Sequence, residues 1–179
     1  MNKRIRIAVF ALIAASLLSV FVLSDSQAAD LTQEQKAKIQ ANCLSIQGTL
    51  NQLKSSDALL RVNRGQIYES VGTKLMNNFN ARLSNNSLDN KGLVAVTEQY
   101  QTALTSFRTN YRTYERQLST AIKIDCKTDP VAFHTAILDA REKRAVVFAD
   151  VQRMNRSIDD YRSGVNDFLI NFERVTAKN

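Results

Sequence analysis

The chain has 179 residues, 44% of them hydrophobic, with one Pro, five Gly, no Trp and a formal net charge of +7. That length suffices for one domain with a real core, and the scarcity of turn formers argues for an all-α protein and against a sheet-rich one. No catalytic constellation or ligand motif stands out, so neither an enzyme nor a cofactor is expected.

Lys3, Arg4 and Arg6 precede a charge-free apolar run from Ile7 to Leu23, and Ser26-Gln27-Ala28 supplies small residues for cleavage. This is the pattern of a secretory signal over residues 1–28, which places residues 29–179 outside the cytoplasm. The alternative is an uncleaved anchor, the one arrangement that would put the chain on a membrane. Residues 1–28 hold three of the 24 Lys and Arg and one of the 17 Asp and Glu, so the remainder keeps a net charge of +5. Anionic wall polymers, nucleic acid, lipid headgroups and acidic proteins are the partners such a balance suits.

Thr32 followed by Gln35 has the form of a capping box and opens a first helix over about residues 32–84. Its apolar seam reads Ile39, Cys43, Ile46, Leu50, Leu53, Asp57, Leu60, Arg64, Ile67 and Val71, in steps of four and three. Two of those positions are charged, and after Val71 the spacing shifts to Leu75, Phe79 and Leu83. The turn formers from Ser84 to Asn90 mark a reversal. A second helix over about residues 90–122 carries an aromatic seam that includes Tyr100, Phe107, Tyr111 and Tyr114. Residues 124–128 form a second reversal. Asp129-Pro130 then opens a third helix to about residue 175, with a capping side chain and Pro at the first helical position. From Phe133 to Val175 its seam alternates four and three without a slip, and only Arg144 interrupts it. Such spacing predicts an elongated antiparallel three-helix bundle of coiled-coil type, about 65 Å long in its last helix.

Cys43 and Cys126 are equidistant from the first reversal, so antiparallel helices bring them level. In a secreted chain they are expected to form a disulfide.

Counting outward from the two reversals places Arg61, Arg108 and Arg144 at one height, with Asp57 and Arg64 about one turn away. These residues form either an anion site or a polar layer that fixes register. Arg108, Arg112 and Arg116 form a further basic row at four-residue spacing beside the aromatic seam. The row could serve nucleic acid, but the aromatics fit a core better. His134 is the only histidine and has no ligand partner at metal-site spacing. Leu59, Tyr68, Val94 and Phe148 are apolar positions left over from the seams, suited to a fourth helix or a second copy.

The run from Asp57 to Tyr68, with Ile124-Asp125-Cys126 and Asp129-Pro130-Val131-Ala132-Phe133, resembles uncharacterised secreted helical proteins of Saccharibacteria-type bacteria. The resemblance implies an extracytoplasmic, disulfide-tied helical fold and brings no activity with it. The leading expectation is a secreted or envelope-associated, non-enzymatic helical protein that binds a protein partner or itself. The alternatives are a polyanion-binding module that uses the arginines, and a periplasmic holdase chaperone.

Overall fold

Thr32 and Gln35 form the capping box: the Gln35 amide donates to Thr32 Oγ1 at 3.2 Å, and the Thr32 amide donates to Gln35 Oε1 at 2.8 Å. From this start the computed structural model describes residues 31–177. The signal and anchor readings of residues 1–28 lie outside the described residues. The described residues form an all-α helical bundle with one disulfide, and no strand occurs among them.

The first arm departs from the continuous helix expected over residues 32–84. It consists of α1 (Gln33–Ala41), α2 (Cys43–Ser70), a π-helical segment (Val71–Met76) and α3 (Asn77–Asn85). At Asn42 the backbone leaves the helical region (φ −103°, ψ 11°), and its backbone and side-chain amides both donate to the Lys38 carbonyl, at 3.2 and 2.9 Å, closing α1. The π segment answers the spacing shift after Val71. A wider turn absorbs one extra residue, so Leu75, which the seam count places inside, is 63% exposed while Met76 is 2% exposed. Gly72 makes that turn fit. A Cβ there would lie 2.7 Å from Gln101 Nε2 and 3.2 Å from a Tyr100 ring carbon.

After a reversal in which Ser87 takes a positive φ of 55°, α4 (Lys91–Lys123) runs back. The second reversal ends at Asp129, whose carboxylate accepts from the Ala132 amide at 2.9 Å, with Pro130 next. Helix α5 (Pro130–Thr176) follows, and its 47 residues extend about 70 Å. Helices α4 and α5 form the main contact of the bundle, burying Leu93, Tyr100, Leu104, Phe107, Met154 and Tyr161 in one core.

Two ends hold the first arm to this pair. At one, Cys43 and Cys126 are joined across 5.5 Å between Cα atoms, packed with Phe133. At the other, the π segment is pinned by tyrosines that satisfy carbonyls beside or within the wider turn. Tyr100 donates to the Tyr68 carbonyl at 2.7 Å, and Tyr161 lies 2.8 Å from Asn80 Oδ1 and 3.1 Å from the Met76 carbonyl. Asn80 in turn donates to Thr97 Oγ1 at 2.9 Å. No buried side-chain polar atom among the described residues lacks a partner.

The tyrosine anchor makes stability sensitive to alkali. Burial pushes the Tyr161 hydroxyl up to about 12, and it raises Tyr100 further, helped by Tyr68. The fold holds neutral phenols, whereas an unfolded chain ionises near pH 10. The stability they contribute is fully present below that pH and is lost as pH rises through the folded-state values. A melting series from pH 9 to 12 is expected to fall above about pH 10. Tyr161→Phe should be ~1–2 kcal/mol less stable at neutral pH and fall less steeply. Identical slopes for the two proteins would remove Tyr161 from this role.

Candidate functional site

Between its anchored ends the first arm is loosely seated. Of the 28 residues of α2 only Cys43 and Asp57 are buried, and the seam positions Leu60 and Ile67 are exposed. The facing stretch of α5 from Arg141 to Val146 is exposed as well. Charges mark the gap: Arg64 and Arg144 occupy seam positions and stay exposed, since ionised groups resist dehydration, while Asp57 is buried and tied to Arg144 across it. A cleft of about 500 Å³ results, lined from α2, α4 and α5.

Its lining divides by chemistry. The apolar part is built on α4 by Phe107, Tyr111 and Tyr114, and on α5 by Val147 and Val151. Tyr68 from α2 stands edge-on to Phe107, with ring centroids 5.7 Å apart and an interplanar angle of 83°. At the mouth, Leu60 and Phe148 remain 52% and 62% exposed. Arg61, Arg64, Arg141 and Arg144 also line the cleft, against one acid, Asp57.

Asp57, one of the two charges that interrupt the first seam, and Arg144, the charge that interrupts the last, meet directly. Arg144 Nε donates to Asp57 Oδ2 at 2.9 Å and Nη2 to Oδ1 at 3.0 Å, a two-pronged pairing. Tyr114 adds a third bond, its hydroxyl donating to Asp57 Oδ2 at 2.6 Å. The hydrogen bonds from Arg144 to Asp57 push its guanidinium above its ordinary value. Burial, and then the bond to Asp57, raise the Tyr114 hydroxyl. Both remain in their donor forms at neutral pH.

The other arginines separate into two groups. Arg61 lies over the Tyr111 ring, with Cζ 5.2 Å from the centroid, so one face of its guanidinium is held while its edge stays available. Among the described residues, Arg61, Arg64 and Arg141 have no carboxylate within 4.0 Å. Arg108 pairs with Glu69 and lies outside the cleft lining. Arg112 and Arg116 are exposed on α4, also outside it. The seven residues singled out in the sequence are therefore divided, with Asp57, Arg61, Arg64 and Arg144 in the cleft and the α4 row elsewhere.

Arg141 and Phe148 complete the site; both lie off the regular seam of α5, Phe148 being one of the leftover apolar positions and Arg141 standing level with the other arginines. Of the leftover apolar positions, Leu59 is exposed like Phe148, Val94 is half-buried, and Tyr68 belongs to the cleft wall. Asp150 on α5 is a further buried acid that the seam does not reveal, held by Asn110 at 2.7 Å and by Arg153. His134 is half-buried at the start of α5. Among the described residues no cluster of His, Cys, Asp and Glu could hold a metal ion, and no helix is long and apolar enough to cross a membrane.

Comparison with protein-family models, with curated proteins and with solved structures finds no match for this chain.

Proposed function

We propose that the chain is a secreted or envelope-associated, non-enzymatic helical binding protein that takes an anionic partner in the cleft between α2 and α5. The observation that carries this reading is the charge imbalance there: four guanidinium groups face one carboxylate. A desolvated wall beside such a rim strengthens attraction for an anion. The secretory pattern of residues 1–28 and the Cys43–Cys126 disulfide support an extracytoplasmic address. On this reading the three antiparallel arms act as one coiled-coil-like bundle, the first arm being its adjustable member. The arginine row at Arg112 and Arg116 supports a second reading, a polyanion-binding surface for wall polymer or nucleic acid that leaves the cleft unused.

The test is capture from native envelope and growth medium on the immobilised, oxidised chain, eluted by a salt gradient. The wild type is compared with Arg61→Gln/Arg64→Gln/Arg141→Gln and with Arg112→Gln/Arg116→Gln. Loss of the salt-eluted material from the first variant alone is the expected result. Loss from the second alone would transfer the function to the α4 row, and equal capture by all three would end both readings.

A further inference from the structure

We propose that the ligand of the cleft is a small amphiphile: an oxyanion head, carboxylate or phosphate monoester, on an apolar body. The proposal rests on the anionic-partner reading above and names the chemistry of that partner. A discrete ligand fits the space: about 500 Å³ lies within the range of about 300–1,000 Å³ typical of small-molecule sites.

The division of the lining supplies the rest. The Phe107 and Tyr111 rings and the Val147 and Val151 side chains have nothing polar to offer a ligand except the Tyr111 hydroxyl, so they suit an apolar body. The exposed Phe148 and Leu60 at the mouth would gain burial by closing over it. The head belongs with Arg64 and Arg141, which have no carboxylate partner among the described residues, and with the available edge of Arg61. Asp57 displays the required chemistry within the site, since its own carboxylate is held by the planar fork of Arg144 and by the Tyr114 hydroxyl. A bound amphiphile would join α2 to α5 beside the Asp57–Arg144 pair that already links them.

The experiment is calorimetric titration of the full, oxidised chain with decanoate, decyl phosphate and decanol, each below its aggregation threshold. Anionic lipid vesicles form a separate arm. Saturable binding of one decanoate or decyl phosphate per chain is expected, with decanol roughly tenfold weaker or more because it lacks the charge. Arg64→Gln/Arg141→Gln should weaken both anions by a similar factor and leave decanol unchanged. Both arginines are exposed and pair with no acid among the described residues, so the variant should fold, which circular dichroism checks.

Equal affinity for decanoate and decanol, or no saturable binding of either anion, would overturn the proposal. So would binding confined to vesicles. If no amphiphile binds while the cleft triple variant still loses captured material, the amphiphile is refuted and the anionic-partner reading survives. If that capture is unaffected too, both fall.

Discussion

Replacing Cys43 and Cys126 together by Ser is expected to lower stability by ~4.5 kcal/mol, the chain-entropy value for a crosslink closing a loop of this length. The bridge spans 83 residues, enclosing most of the first arm and all of α4. Its removal also places two hydroxyls in the buried cluster around Phe133. The loss should be uneven along the chain. With the bridge gone, α1 and the start of α2 keep only side-chain ties such as Gln40 to the Lys127 carbonyl and Gln47 to the Ile122 and Ile124 carbonyls. Hydrogen exchange should quicken there first, while the Tyr161 and Asn80 anchor stays protected. Urea unfolding gives the total. A change under about 1 kcal/mol would mean that the unfolded chain gains little freedom when the link is cut.

The second large effect is at Asp57. Asp57→Ala removes the acceptor for both Arg144 and Tyr114 and leaves the Tyr114 hydroxyl buried without its partner. Arg144 is about half exposed, so water can take over its bonds, and the cost of an abandoned buried charge applies only in part. An expected loss of ~1–3 kcal/mol follows, most of it from Tyr114. At roughly 2–4 °C per kcal/mol for a domain of this size, the melting temperature records it directly. Tyr114→Phe should recover much of that loss when added to Asp57→Ala, because it removes the orphaned hydroxyl. The same substitution releases Arg144 for an incoming anion, so decanoate should bind Asp57→Ala more tightly than wild type. An unchanged melting temperature would show that the polar layer contributes nothing.

Much of this arrangement is legible in the sequence, for identifiable reasons. Thr32 with Gln35 and Asp129 with Pro130 mark helix starts because capping needs those side chains at those spacings. Cys43 and Cys126 can be paired because both are equidistant from the first reversal. The meeting of Asp57 with Arg144 is foreshadowed by charges of opposite sign on the first and last seams, which are apolar at most other positions. The π segment is less legible. A drift from Val71 to Leu75 shows that the spacing fails, but not that the backbone widens a turn to bring Met76 inward. Arg108 illustrates a different limit: level counting places it beside Arg61, yet its long side chain turns to Glu69. The cleft itself depends on how far α2 stands from α5. That separation reflects the cost of dehydrating several charges together, and no single position in the chain carries it.

The most direct test of the cleft as an anion site follows the arginine Nε–H resonances by NMR as decanoate is added to the full, oxidised chain. Saturable shifts at Arg61, Arg64 and Arg141, with Arg112 and Arg116 unmoved, are the expected result. Shifts of similar size at all five arginines, or none at any, would contradict it.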